Sequence, residues 1–166
     1  MTWAQAMAGC RWSEGWNLAT IESEEESVAL ASVLAQKWHT KKFWIALAHF
    51  EEEADWTWHT QEYNETISDS LWYMVSDFAT VETYRESVNL DTENATYEAW
   101  APDQPDNQNG NENCAYIYAG KPGDDRNGKW NDYSCDNNWD DGQIAAICKA
   151  VPQVCQTWVE RKGKCI

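Results

Sequence analysis

Trp100-Ala101-Pro102-Asp103-Gln104-Pro105-Asp106 opens a polar run that ends at Glu112-Asn113. It is followed by Cys114-Ala115-Tyr116-Ile117-Tyr118 and, after a second polar stretch, by Lys129-Trp130-Asn131-Asp132. Between Pro102 and Asn113 the chain is crowded with Asp, Asn, Gln, Pro and Gly, the composition of a loop. The apolar run that follows is a strand candidate. Gln104 and Asp106 offer an amide oxygen and a carboxylate on either side of a proline. Glu112 adds a carboxylate, and Asn131-Asp132 add an amide oxygen, a carboxylate and a backbone carbonyl. Ca²⁺ is bound by roughly six to eight hard oxygens of these kinds, so composition makes the segment a candidate cation site. A solvated Asn/Asp-rich loop without metal is the commoner reading of such composition. An EF-hand is excluded: counted from Asp136, the glycine position is Asp141 and the closing glutamate position is Ile147.

Outward from this segment, the spacing of Trp3, Ala6, Met7 and Cys10 predicts a short amphipathic helix over 2–10. Ser23 and Glu26 form a capping-box pattern. Val28, Ala31, Leu34 and Ala35 then predict the apolar stripe of a second helix reaching about Trp38. Phe43-Trp44-Ile45-Ala46-Leu47 reads as a buried strand and Asp55-Trp56-Thr57-Trp58-His59 as an alternating one. From Glu62 to Glu98 the pattern loosens. Gln143-Ile144-Ala145-Ala146-Ile147-Cys148 is expected to close the sheet. Helices first and strands after them give an α+β class.

The 166 residues suffice for one domain with a real core. Twelve Trp imply a wide core or an aromatic binding surface, core packing being the usual role. A net charge of −16, from 28 acidic and 12 basic residues, repels phosphate backbones and attracts cations, which argues against a nucleic-acid partner. Glu24-Glu25-Glu26 and Glu51-Glu52-Glu53 read as solvated surface. The six Cys show neither CxxC nor zinc-finger spacing, which points to three disulfides and an oxidising compartment. The sequons Asn64-Glu65-Thr66 and Asn94-Ala95-Thr96 agree with secretion and predict glycosylation at Asn64 and Asn94. No apolar run reaches membrane-spanning length. Met1 leads into the first helix without a leader pattern, as expected if the leader is removed or the chain belongs to something longer. His39, His49 and His59 are not in HExxH spacing, and no GxSxG or phosphate-binding loop occurs, so no enzyme is expected.

Taken together in order, these motifs resemble the C-type lectin-like domain family over nearly the whole chain. Thr2-Trp3-Ala4-Gln5-Ala6 through Cys10, then Leu18-Ala19-Thr20-Ile21 and Ser23-Glu24-Glu25-Glu26, are similar to its two-helix opening. Phe43-Trp44-Ile45-Ala46-Leu47 resembles its WIGL motif, with Ala46 in place of Gly. Gln104-Pro105-Asp106 resembles the QPD form of its sugar-binding motif, and Glu112 stands eight residues after Gln104. Trp130-Asn131-Asp132 matches its WND motif.

The resemblance implies an α+β C-type lectin-like fold: two helices, a small antiparallel sheet and long calcium-binding loops, all disulfide-bonded. It implies the pairings Cys10–Cys148 and Cys114–Cys135, leaving Cys155 and Cys165 to close a small hairpin. It further implies one Ca²⁺ held by Gln104, Asp106, Glu112, Asn131 and Asp132, with a cis Pro105. Two adjacent sugar hydroxyls would complete the ion's shell. QPD order implies galactose or N-acetylgalactosamine. Galactose binders of the family place a Trp four residues after the Gln, where this chain has Gln108; Trp139, Tyr116 or Trp72 are the candidate replacements. Asn107 and Asn113 stand where a second calcium position would need carboxylates.

Residues 1–150 are thus expected to form the lectin-like domain, with an insertion at about 61–98 that includes the apolar Leu71–Phe78. Residues 151–166 resemble the hairpin that opens long-form domains of the family. They are expected to begin a further or permuted domain, or to pair with a neighbouring copy by strand addition. The expected function is calcium-dependent binding of a galactose-type glycan by a secreted protein. The alternative is a structural or interaction protein, a matrix or fibre component, that does not bind free sugar.

Overall fold

The computed structural model describes residues 1–11, 16–38, 41–50, 55–60, 91–121, 123–136 and 144–150, with the backbone of 158–159 and 164–165. Helix α1 (Trp3–Cys10) begins at Thr2, whose hydroxyl accepts from Gln5 N while Gln5 Oε1 accepts from Thr2 N. This reciprocal cap satisfies two donors that a helix start leaves unpaired. Six of its eight residues are buried. Ala4, Ala6, Ala8 and Gly9 keep the helix thin enough to be covered on almost every side, and only Gln5 and Gly9 escape burial. Trp3 fastens it to the sheet, its indole N–H donating to Ile45 O at 2.9 Å and its backbone N–H to Cys135 O at 2.9 Å.

Helix α2 (Glu24–Lys37) carries Glu24, Glu25 and Glu26 in its first turn, where the helix dipole favours negative charge. Ser23 caps Glu26 N as expected, but the box is not reciprocal. Glu26 reaches past Ser23 to accept from Glu22 N at 3.0 Å, and its other oxygen pairs with Lys149 at 2.7 Å, which draws the carboxylate away from the cap. The expected stripe also shifts. Val28 is 62% exposed, and Ser27 with Ala31, Leu34 and Ala35 faces inward, the spacing of one helix face.

The strands are β1 (Trp16–Leu18), β2 (Lys41–Ala48), β3 (Thr57–Thr60), β4 (Asp91–Asn94), β5 (Cys114–Ala119), β6 (Trp130–Tyr133), β7 (Ala145–Ala146) and β8 (Cys148–Ala150). The main sheet runs β4-β3-β2-β5-β6, antiparallel throughout, with β7 joined parallel to β2. Strand β2 is its centre and its six residues from Phe43 to Ala48 are all buried. Ala46 lies fully buried at the position where the family motif has Gly, so the core admits one extra methyl there.

Three expectations are corrected. The closing segment is not one strand: it pairs with β2 at Ala145–Ala146, then crosses to pair with β1 from Cys148. That crossing carries Cys148 to Cys10. The second strand begins at Thr57, and its burial does not alternate, because both faces are covered. His59 packs against Trp3 and Phe50 on one side and Trp58 against Trp130 on the other. Strand β4 lies inside the stretch taken as insertion. All four of its side chains are exposed, so hydrophobic patterning could not reveal it; pairing with Thr57–Thr60 makes it a strand.

Among the described residues, Trp3, Trp44, Trp58 and Trp130 are buried, in keeping with core packing as a main role of Trp. Disulfides join Cys10 to Cys148 and Cys114 to Cys135. The expected Cys155–Cys165 bond and the stretch Leu71–Phe78 lie outside the described residues. The terminal strands β9 (Trp158–Val159) and β10 (Lys164–Cys165) pair with each other antiparallel, as a hairpin does. Among the described residues no helix is long and apolar enough to cross a membrane.

The loop between β5 and β6 docks on α2. Asn127 accepts from Gly120 N at 3.0 Å and donates to Ala31 O at 3.3 Å. Gly128 sits at φ +78, where a Cβ would stand 2.6 Å from the Ala31 Cβ. Gly128→Ala should therefore strain the backbone and part the loop from the helix, lowering unfolding free energy by about 2–4 kcal/mol in urea titration. Removing the Cys10–Cys148 bond, which spans 138 residues, with paired Ala substitutions should cost about 2–5 kcal/mol by the same measurement.

Candidate cation site

The register of β5 on β6 sets the site. Ala115 stands opposite Asp132, and Cys114 opposite Tyr133. Glu112, three residues before Ala115, is thereby delivered to the end of β6 that carries Asp132. The Cys114–Cys135 disulfide clamps that end. The loop's other end is tied to the same strand: Trp130 N donates to Ala99 O and Ala101 N to Trp130 O, both at 2.9 Å. Trp130 is fully buried, edge-on to Trp58, Tyr97 and Trp100. The loop from Ala101 to Asn113 thus leaves from and returns to β6.

Within that loop the Gln104–Pro105 bond is cis, as the family resemblance implies. Asp103 and Asn107, at φ 64 and 44, flank the Gln-Pro-Asp motif in the left-handed region. Asp and Asn are among the side chains that tolerate this conformation best. Asp132 is fully buried, and its carboxylate accepts from Asp106 N at 3.2 Å and Asn107 N at 2.7 Å. Glu112, 8% exposed, accepts from Gln108 N at 3.1 Å. Its own N–H donates to Asn107 Oδ1 at 3.0 Å.

Carboxylate oxygens of Asp106, Glu112 and Asp132 lie within 4.8 Å of one another. Burial pushes the Glu112 carboxyl above its ordinary value of 4.5, and the charges of Asp132 and Asp106 push in the same direction against the Gln108 N–H. Gln104 Oε1 is buried without a hydrogen-bond partner. A buried acceptor left so costs about 1–3 kcal/mol. Three carboxylates in repulsion form a hard-oxygen cluster suited to Ca²⁺, and the unpaired amide oxygen two residues before Asp106 is a ligand type of the same kind. Asn131, beside Asp132 on β6, turns its amide nitrogen toward the Asp132 carbonyl at 2.5 Å.

The structure thus gathers Asp106, Glu112 and Asp132, buries the Gln104 oxygen and sets Asn131 next to Asp132. Trp139 and Asn64 lie outside the described residues. Asn94 is exposed at the end of β4, accessible as a glycan acceptor must be. Tyr116 does not serve as a stacking ring: it is buried against Trp44 and Tyr133 beneath Lys42. Sequence reasoning marks Asn107 only as an amide where a second calcium position would need a carboxylate. What it misses is that the residue's backbone and side chain touch both buried carboxylate residues, the one further signal being an Asn suited to φ > 0.

These features define a disulfide-pinned α+β domain with a polar loop that collects hard oxygen donors. The lectin C-type domain family model matches residues 1–150, and the chain belongs to that family. It is 25% identical over 137 residues to salivary C-type lectin 1 of Aedes albopictus, covering 80% of this chain and 69% of the relative. It is 24% identical over 146 residues to a perlucin-like protein of Mytilus galloprovincialis, covering 88% and 68%. Among solved structures, the C-type lectin CEL-I from Cucumaria echinata superposes with a TM-score of 0.53 at 21% identity, over 89% of this chain and 81% of that one. At that identity the likeness is one of fold.

Because Asp132 accepts from two backbone N–H groups, Asp132→Asn should loosen the loop by itself. Replacing an acceptor oxygen with an NH₂ group sets donor against donor. Amide hydrogen exchange in EDTA should speed up at Asp106 and Asn107 by at least about tenfold and stay unchanged in α1.

Proposed function

We propose that the chain is a calcium-dependent carbohydrate-binding protein of the galactose or N-acetylgalactosamine type that works outside the cell. The observation that carries the reading is the meeting of three carboxylates within 4.8 Å, in a loop that also holds the buried, unpartnered oxygen of Gln104, two residues before Asp106. Gln104, Asp106, Glu112, Asn131 and Asp132 would hold one Ca²⁺, Asn131 after a half-turn of its amide. When bound, the ion supplies coordination positions for two adjacent sugar hydroxyls.

The chain's own groups then divide the work. Gln104 and Asn131 carry amide N–H donors, while Asp106 and Glu112 carry acceptors, so each hydroxyl can both accept and donate. Asp132 has committed its carboxylate to Asp106 N and Asn107 N. Its part is to fix the loop and face the ion. The Gln-Pro-Asp order of amide and carboxylate is the support for a galactose-type ligand. This is recognition without catalysis, and the described histidines fit it: His59 is a buried packing group and His49 lies against Trp56.

Two disulfides and an exposed sequon at Asn94 support a secreted glycoprotein. Asn64 is proposed as a second acceptor and Trp139 as the stacking ring. Residues 151–166, with their self-paired strands, are proposed as an opening hairpin for a tandem domain or a contact with a neighbouring copy. One observation favours a second reading, a structural or interaction protein on the same fold: Gln108, where a stacking ring would stand, is exposed and not aromatic.

Calorimetry separates the two. The first reading expects one Ca²⁺ per chain and galactose binding that EDTA abolishes. Calcium binding with no response to galactose, N-acetylgalactosamine or mannose would favour the second. Asp132→Ala should abolish both responses. Calcium binding should also depend on pH in a stated direction. The ion needs Glu112 ionised, and its carboxyl titrates above 4.5, so affinity falls as pH drops through that raised value, by up to about tenfold per pH unit. Without the ion the sign reverses: ionising Glu112 costs stability, which declines as pH rises through the same window.

A further inference from the structure

Asn107 touches both buried carboxylate residues of the loop. Its backbone N–H donates to Asp132 Oδ2 at 2.7 Å, and its side-chain Oδ1 accepts from Glu112 N at 3.0 Å. Its carbonyl accepts from Gly110 N at 2.9 Å, closing the short turn Gln108–Gly110 that leads toward Glu112. Three groups of one residue thus link β6, the Gln-Pro-Asp motif and the strand entering β5. We infer that Asn107 is the positioning residue that sets the placement of Glu112 relative to Asp132, and through it the tightness of cation binding. The inference rests on the cation reading above.

The residue type follows from three constraints met at once. The backbone sits at φ 44, ψ 48, which disfavours Ala, Ser and the branched residues. Gly would fit the backbone and lose the acceptor. Asp would keep the acceptor but add a fourth charge beside Asp106, Glu112 and Asp132, where burial and then the neighbouring charges already raise the Glu112 carboxyl. Asn alone among these supplies a neutral acceptor in a left-handed conformation. It orders two ligand residues without adding to the charge they hold.

The role differs from that of a ligand, and variants can tell them apart. Asn107→Gly removes the acceptor and leaves the backbone free to adopt its conformation; Asn107→Asp restores the acceptor. Two readouts apply to the full chain. In EDTA, the Glu112 amide should exchange at least about tenfold faster in Asn107→Gly than in the native protein and return to native protection in Asn107→Asp. With Tb³⁺ as the probe, luminescence lifetimes in H₂O and D₂O count the waters on the ion. Asn107→Gly should gain about one water as Glu112 is released, and bind about tenfold or more weakly, while Asn107→Asp keeps the native count. Near-UV circular dichroism establishes that each variant is folded. If the native chain binds Tb³⁺ and Asn107→Gly matches it in affinity, hydration and Glu112 exchange, the assignment to Asn107 is overturned alone. If the native chain binds neither Tb³⁺ nor Ca²⁺, the cation reading is overturned, and this inference with it.

Discussion

The site depends on strand β6 being held along both edges. One edge pairs with β5 from Ile117 to Cys114; the other takes the backbone of Ala99 and Ala101 through Trp130. The polar loop spans these two attachments, so its ends are fixed on neighbouring stretches of the same strand. Fixing the ends removes much of the entropy that a flexible loop of its length would keep. The buried indole of Trp130, ringed by Trp58, Tyr97 and Trp100, makes the attachment rigid. An acidic loop that would otherwise fly apart is in this way moored to the apolar core.

Mooring alone does not bring three carboxylates together. Their repulsion is offset locally by backbone donors: two for Asp132, one for Glu112. Each N–H stabilises the ionised form of the group it meets. The offset is incomplete at Glu112, whose carboxyl is pushed up by burial and by its neighbours' charges, and at Gln104, whose oxygen has no donor. Both groups belong to the loop whose carboxylates converge within 4.8 Å, and a divalent cation there would relieve the strain on Glu112.

Legibility in the sequence followed where side-chain identity carried the information. The helices are readable because burial imposes a period on their apolar residues, and strand β2 and the strand at Cys114 because burial on both faces makes each a near-continuous apolar run. The Gln-Pro-Asp, Glu112 and Trp-Asn-Asp set was readable as a list of oxygen donors, and the family resemblance supplied its order. Strand β4 was not readable, since its Asp, Thr, Glu and Asn all face solvent and only pairing with β3 defines it. The split at Ile147 was equally hidden: an apolar run does not say which of two sheets each part will join. The Ser23/Glu26 pattern predicts a reciprocal box, but a tertiary contact with Lys149, distant in sequence, draws Glu26 elsewhere.

Asn107 shows the same limit at the site itself. In a row of Asp, Asn and Gln, composition treats every amide and carboxylate as a possible ligand. The fold separates them by what their other atoms are doing. Asp132 spends its carboxylate on two backbone N–H groups, Asn107 spends its amide oxygen on the Glu112 N–H, and Gln104 has nothing to spend its oxygen on. An amide oxygen already engaged within the protein shapes the cradle, and a carboxylate such as that of Asp132 can do so and keep lone pairs to spare. An oxygen left unengaged is available to what enters the loop. That distinction is set by hydrogen-bond geometry and not by residue type. It lets a loop of near-identical polar residues hold separate roles for scaffold and ligand within a few positions of one another.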